Sequence, residues 1–457
     1  MAEFPVELRI TSIHPKKRTE SLLCRAVLRS IPGRRQVYDA VWDDRDVIAK
    51  VFSHKFSAKR HLRREWRGLD ELAKRGVPVP SALFYGKTED GRWAIVVQKI
   101  PVASTALDIL NETSDDASKL DLLMVVCREL AKQHESGILQ KDLHLGNFLL
   151  AGDKVFALDP AQMRFYSQPI RRKKSLSQLA LLAHYLSTRD SDSIHKLWQA
   201  YFAVRGWRLG EADEQRLRKQ MMTALKRGIR RRLKKSLRTS KGYLRVRPAG
   251  FLAVFDRGFC RAAEPLDLIQ HVDGLMDSGQ VLKKGNTCTV CRLSWNGHDI
   301  VVKRYNHKGF VHSLRHTIKR SRARRAWLHA HRLGVLNITT PEPLAYIEER
   351  RIGLLWKSYL VTRYVDGHTL YEFLRNGISE EKRSRASQQV TDLLKTLATY
   401  GISHGDLKHS NILVTSSGAV LTDLDGMKVH RFNWLLKIRR AKDAARLAES
   451  IQRCESI

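Results

Sequence analysis

The chain has 457 residues, with 82 Lys or Arg against 47 Asp or Glu, a formal net charge of +35. At 43% hydrophobic residues it can bury ordinary cores in two or three domains of roughly 100–200 residues, which excludes disorder along most of its length. The charge points to a polyanion: nucleic acid, anionic lipid or a heavily phosphorylated substrate.

The stretch Met1–Arg18 has no apolar core behind a basic start and reads as lacking a secretory signal. Apolar runs such as Leu176–Leu186 are too short to span a bilayer, so a soluble or peripheral protein is expected. The six Cys are too sparse for a disulfide scaffold and fit a reducing cytosol. Cys288 and Cys291 have the spacing of half a zinc or redox motif. No second such pair follows, however, and the flanking alternation reads as a strand.

In chain order, Val47-Ile48-Ala49-Lys50-Val51-Phe52 is a short β-rich apolar run carrying one Lys. A basic helical stretch with Arg63-Arg64-Glu65-Trp66 follows, then Gly76-Val77-Pro78-Val79-Pro80. After a mainly helical segment comes ILQKDLHLGNFLLAGDKVFALDP at 138–160, with Asp142, Asn147 and Asp159. Glu214 to Arg238 places Leu217, Met221, Leu225, Ile229, Leu233 and Leu237 at every fourth position, one face of a helix dense in Lys and Arg. Two readings of that helix stand: a solvated helix closing the first module, or a docking surface for anionic lipid or glycolipid phosphates.

The pattern then recurs. Ile300-Val301-Val302-Lys303-Arg304-Tyr305 repeats the apolar run, Arg324-Arg325-Ala326-Trp327 repeats the basic helix, and ISHGDLKHSNILVTSSGAVLTDLDG at 402–426 repeats the loop. Both loops contain Asp-Leu-x-x-x-Asn-x-Leu, and both place a second Asp 17 positions after the first, from 142 to 159 and from 406 to 423. The chain therefore reads as two homologous modules, 1–238 and 239–457.

Phosphoryl transfer from a nucleotide needs a Lys for phosphate oxygens, an acid to hold that Lys, a carboxylate near the attacking hydroxyl, and hard oxygen ligands for Mg²⁺. Lys50, Glu65, Asp142, Asn147 and Asp159 supply those parts in order; Lys303, Asp406, Asn411 and Asp423 supply them again. Aligning Trp66 with Trp327 sets Ala326 opposite Glu65, so the second module lacks the acid. Neither module has a full Gly-rich phosphate loop. Gly33 and Gly285 stand in its place, each equally readable as a hairpin turn.

The loops Gln140–Asn147 and His404–Asn411 resemble the catalytic loops of the protein-kinase-like superfamily, and Asp159 and Asp423 take the place of its metal-binding Asp. More narrowly, the chain resembles the bacterial lipopolysaccharide-core kinases of the Kdo/WaaP family. That resemblance implies an α+β fold of two tandem bilobal modules, each with a small β-rich lobe and a helical lobe. It further implies ATP and Mg²⁺ as cofactors, with Asp142 and Asp406 as catalytic residues, Lys50, Glu65, Gly33, Lys303 and Gly285 at the nucleotide, and Asn147, Asp159, Asn411 and Asp423 at the metal. The implied acceptor is a heptose or Kdo hydroxyl in the lipopolysaccharide core or a lipid-linked oligosaccharide, and the implied place the cytoplasmic face of the inner membrane, against its anionic surface. Module one is the expected site of catalysis. The alternatives are a nucleotide-binding pseudokinase scaffold for envelope biosynthesis, or a kinase acting on protein or another small molecule. Nucleic acid is set aside, because no nucleic-acid-binding motif is present and the basic residues are dispersed through both modules.

Overall fold

The computed structural model describes residues 4–31, 33–53, 57–186, 190–260, 264–306, 320–375 and 379–455. By its contacts the chain divides into two compact units, Met1–Leu225 and Lys226–Ile457. The division falls inside the helix Glu211–Lys235, not at residue 238. The every-fourth apolar face explains the difference: Leu217 and Met221 lie in a core of the first unit, whereas Leu233 and Leu237 pack on a cluster of the second.

The first unit opens with strands Val6–His14, Thr19–Ile31, Arg35–Trp42, Arg45–Phe52, Ala82–Thr88 and Trp93–Gln98. Val6–His14 pairs antiparallel with both Thr19–Ile31 and Ala82–Thr88, so the six strands close into a barrel. Alternation selects the barrel filling, since side chains on a strand point to opposite faces in turn. Ile10, Leu22, Val47 and Val51 point inward, and Ala40, Ala49 and Ala94 keep the interior narrow enough to be filled by side chains alone. Lys50 stands between inward-facing Ala49 and Val51 and so projects outward. There the helix Ala58–Lys74 covers the barrel through Ala58, Leu62 and Leu69.

The rest of this unit is mainly helical. Asp116–Glu135, Arg172–Leu182 and Ser191–Val204 enclose Leu130, Leu179, Trp198, Tyr201 and Phe202, all buried. The connection between the first two carries short paired strands, Ile138–Gln140 with Met163–Phe165 and Phe148–Ala151 with Lys154–Ala157, which fix the loop bearing Asp142.

In the second unit seven strands form one sheet, in the order Tyr243–Val246, Phe251–Asp256, Pro343–Arg351, Leu354–Arg363, His298–Tyr305, Cys288–Trp295, Gln280–Lys284. Cys288 and Cys291 sit on the same strand, three positions apart and therefore on opposite faces, in different apolar clusters. Both are free thiols, as the strand reading requires. The helix Glu264–Ser278 packs with the cluster holding Cys291, and Arg322–Val335 with the cluster holding Cys288. The helices Glu380–Thr399 and Asn433–Glu455 follow. Among the described residues no helix is long and apolar enough to cross a membrane. Of the basic stretch 315–325, residues 315–319 lie outside the described residues.

The two aligned tryptophans have diverged. Trp327 is fully buried, meets Tyr243, His331 and Tyr346, and donates its Nε1–H to the Ser236 carbonyl at 2.9 Å. Trp66 is only partly buried, edge-on to His14 and Tyr85. Trp327→Ala is therefore expected to destabilise its unit by about 3–5 kcal/mol, the usual cost of emptying a buried aromatic site. Trp66→Ala should cost clearly less. Chemical denaturation of the two variants measures both, and equal losses would contradict the burial difference.

Candidate active site

Lys50 reaches the helix Ala58–Lys74 and pairs with Glu65, whose side chain is 1% exposed. A buried acid of this kind is tolerated only with a partner, and Lys50 is that partner. Glu65 thereby fixes the lysine against the helix, and Asp159 is left to other contacts: among the described residues it pairs with the Arg35 guanidinium, at 3.8 Å.

The loop is built from its buried residues outward. Leu145 is sunk in the helical core and pins the single 3₁₀ turn Leu145–Asn147, leaving Asp142 exposed. The Asn147 amide nitrogen donates to the Asp142 carbonyl at 2.8 Å, which commits its N–H and leaves Oδ1 as the remaining donor atom for a cation. The backbone N–H of Leu158 donates to the Asn147 carbonyl at 2.8 Å, so the residue preceding Asp159 is tied to Asn147. Asp159 itself is in the left-handed region at φ 55, an uncommon backbone for a non-glycine residue that turns the chain sharply at the carboxylate. The backbone tie thus brings Asn147 and the turn at Asp159 together, and each carries a hard side-chain oxygen of the kind Mg²⁺ takes.

The second unit reproduces this backbone closely. Asn411 donates to the Asp406 carbonyl at 2.8 Å, Thr422 N–H donates to the Asn411 carbonyl at 2.9 Å, and Asp423 has φ 56. The charges differ. The helix Arg322–Val335 contains no acid, so Lys303 pairs with Asp423 itself, Nζ to Oδ1 at 2.6 Å. Burial pushes the Asp423 carboxyl up, but Lys303, by charge and hydrogen bond, outweighs it and holds the group below its ordinary value. Asp425 is raised by burial and then by the Asp423 charge, and it is held against the Arg322 guanidinium. Asp406 also has cations beside it, Lys408 at 3.1 Å and Arg446 at 4.0 Å.

Different supports stand behind the two loops. In the first unit the Gln140 side chain donates to Gln133 at 2.9 Å, and its carbonyl accepts from Gln178. Gln178 in turn accepts from His134 Nε2 at 2.7 Å, and His134 Nδ1 accepts from the Tyr201 hydroxyl. Burial pulls His134 down to about 4, so it is neutral, as one accepting nitrogen requires. In the second unit Asp443 accepts from the backbone N–H groups of His404 at 2.7 Å and Gly405 at 3.0 Å, while His404 Nε2 donates to the Thr422 carbonyl at 2.9 Å. Gly405 has φ +86, and a Cβ there would lie 2.5 Å from the Gly426 carbonyl.

The glycines singled out from sequence both sit in hairpins. Gly33, at φ +68, turns between Thr19–Ile31 and Arg35–Trp42, and Gly285 N–H donates to the Cys288 carbonyl at 3.1 Å. Sequence reasoning missed Arg35, Gly68, Gln178, His134, Arg322, Asp425 and Asp443. Only Gly68 left a visible signal, a glycine inside a helix. A Cβ at Gly68 would stand 2.7 Å from Pro160 Cβ and 2.9 Å from its carbonyl oxygen. Three positions after Glu65, hence on the same helix face, it lets the helix touch the residue following Asp159.

The lipopolysaccharide kinase (Kdo/WaaP) family profile matches residues 43–201 and 272–455, well over half of the chain. The chain belongs to this family. Membership makes it a phosphotransferase of the lipopolysaccharide-kinase kind, and each matched segment contains one of the two loops. Among curated proteins, human mitogen-activated protein kinase kinase kinase 4 is 39% identical over 64 residues, 14% of this chain and 4% of that protein, so the chain covers only a small part of it. Among solved structures, the PknI kinase domain of M. tuberculosis is 15% identical with a TM-score of 0.30, covering 45% of this chain and 95% of that one. Vaccinia related kinase 3 is 10% identical with a TM-score of 0.31, covering 48% and 85%.

Gly68→Ala tests the contact between helix and loop. Helix propensity alone would favour the alanine by about 1 kcal/mol. The clash with Pro160 should reverse the sign and cost about 1–3 kcal/mol. Denaturation of the full chain reads it, and a variant as stable as the parent or more so would refute the close approach.

Proposed function

We propose that the chain is two tandem bilobal kinase modules, and that the first transfers the γ-phosphate of ATP to a heptose or Kdo hydroxyl of the lipopolysaccharide inner core. The observation that carries this reading is the intact Lys50–Glu65 pair, which leaves Asp159 without a lysine partner among the described residues, within a matched family segment. Lys50, held by Glu65, neutralises phosphate oxygens of the nucleotide. Asp142, exposed on its pinned loop, accepts the hydrogen bond of the sugar hydroxyl and aligns it for in-line attack. Asn147 Oδ1 and the Asp159 carboxylate would hold Mg²⁺, and the charge neutralisation at the transferring phosphate is what that ion would supply. The hairpins of Gly33 and, in the second unit, Gly285 would lie at the nucleotide. The acceptor sits in a glycolipid, or a lipid-linked oligosaccharide, at the cytoplasmic face of the inner membrane. The basic second half of Glu211–Lys235, with exposed Arg227, Arg230, Arg231 and Lys234, suits an anionic leaflet.

For the second unit the Lys303–Asp423 pair supports a pseudokinase reading: the lysine and the metal carboxylate neutralise each other, and Lys408 and Arg446 flank Asp406. Nucleotide and Mg²⁺ binding at Lys303, Asn411 and Asp423 would require that pair to separate. The unit then serves as a nucleotide-binding or docking partner for the first.

Asp142→Ala is expected to lower ATP-dependent phosphorylation of purified core oligosaccharide by at least about 10²-fold, the usual contribution of a positioned acid–base group. Asp406→Ala should leave the rate at the wild-type level, with melting curves confirming that both variants fold. The reverse outcome would move catalysis to the second unit. Phosphate appearing only on protein or on another small molecule would replace the acceptor.

A further inference from the structure

The helix Arg322–Val335 and the segment that follows Asp423 enclose a cavity of about 460 Å³ within the second unit. Its polar lining is cationic: Arg320, Arg325, Arg332, Lys428 and Arg439, with His329 and His430 between them and no Asp or Glu in the wall. None of these five cations forms an ion pair among the described residues. The adjacent undescribed residues 307–319 contain no Asp or Glu. Arg325 Nε is buried without a hydrogen-bond partner. Burial, and then the neighbouring Arg320, pull Arg332 below its ordinary value, the signature of cations crowded without counter-charge. His329 is pulled down to about 3, by burial first and by Arg332 next, and its Nδ1 accepts from Arg332 at 2.9 Å. The positive charge is therefore carried by Arg and Lys across the whole physiological range.

The first unit has a cavity at the corresponding place, about 620 Å³, lined by Arg64, Arg67, Gly68, Glu71, Arg75 and Met163 among others. With the tryptophans aligned, Arg64 corresponds to Arg325 and Glu71 to Arg332. In the first cavity Glu71 is paired with Arg75 at 3.2 Å and Asp70 stands in the same wall, whereas the second has Arg332 in place of Glu71 and no acid among its described lining residues. One repeated pocket thus carries opposite charge at the same position. An unneutralised cluster of guanidinium groups is the arrangement that recognises a phosphate group.

The rim adds a direction. Phe432, Trp434 and Ile438 are 55%, 63% and 47% exposed, on the chain that supplies Leu435 and Arg439 to the wall, and exposed Arg431, Lys437 and Arg440 flank them. Exposed aromatic and aliphatic side chains interleaved with bases suit a headgroup interface.

We propose that this pocket binds a phosphomonoester presented at a lipid surface, with Phe432, Trp434 and Ile438 entering the interface beside it. The inference deepens the membrane association proposed above by giving it an address, yet would hold if neither unit transferred phosphate.

The test is sedimentation of the full chain with neutral vesicles containing either phosphatidic acid, a phosphomonoester, or phosphatidylglycerol, a phosphodiester, at matched surface charge. Preference for phosphatidic acid is expected. Arg325→Gln with Arg332→Gln should abolish it, with binding falling about fivefold per cation removed. Exposed Arg439→Gln, which disturbs no core, should reduce it in the same direction. Lys283→Gln with Lys284→Gln, an equal charge change on the exposed strand Gln280–Lys284, should leave the preference intact. Equal binding to both lipids, or equal loss in the control variant, would overturn the pocket while leaving the kinase reading untouched. Thermal stabilisation by inorganic phosphate without vesicle preference would overturn the lipid source.

Discussion

A lysine placed against the covering helix of a β-sheet must find a negative partner, and the rest of each site follows from which one it finds. Lys50 finds Glu65 on the helix; Lys303 finds Asp423 on the loop. Removing one member of a buried pair strands the other and costs several kcal/mol, so the lysine cannot simply be left alone. In the second unit the helix position opposite Glu65 is Ala326, and the lysine turns instead to Asp423 on the loop. The same carboxylate cannot at once neutralise a lysine at 2.6 Å and serve fully as a ligand for a divalent cation. One residue change on a helix thereby alters the charge state of a loop about a hundred residues further along the chain.

The helix also sets the position of that loop, by different means in the two units. In the first, Gly68 removes a side chain so that the helix backbone meets Pro160 directly, and the turn at Asp159 is located by contact. In the second, Arg322 at the start of the helix grips Asp425 two residues past Asp423. A steric contact is short-ranged and indifferent to salt, whereas a partly buried ion pair depends on the charge of its neighbours, here Asp423 and through it Lys303. Lys303, Asp423, Asp425 and Arg322 therefore act as one four-membered charge network. The first unit has no counterpart to it, because Ala161 stands where Asp425 would be.

These relations explain what could be seen in the sequence and what could not. The rows Asp142, Asn147, Asp159 and Asp406, Asn411, Asp423 were legible because spacing along a loop is a local property, while Lys50 and Lys303 were legible as the one Lys in a repeated apolar strand. The Cys288–Cys291 pair was legible as a strand for the same reason. The missing acid at Ala326 was legible from alignment, but its consequence was not, since the partner Lys303 chose is 120 residues away and nothing in the spacing names it. Gly68 was overlooked because a helix tolerates a glycine, and only the approach of Pro160 shows why this one is required. The contact division inside the helix Glu211–Lys235 was not legible, because a uniform every-fourth stripe does not record that Leu217 and Leu233 serve different cores.

The large positive charge was legible at once and uninformative on its own, since bases scattered on a surface and bases converging on a cavity give the same sum. Structure separates the two. Along the helix Ala58–Lys74 the bases are interspersed with Glu65, Asp70 and Glu71, which pair with Lys50, Lys74 and Arg75. Along Arg322–Val335 every acid is gone, from Ala326 at the lysine to Arg332 at the cavity. Loss of Glu65's equivalent weakens the case for catalysis in the second unit, and loss of Glu71's equivalent creates an unneutralised anion pocket on the same element. Both follow from one helix that carries Ala326 and Arg332 where the helix of the first unit carries Glu65 and Glu71.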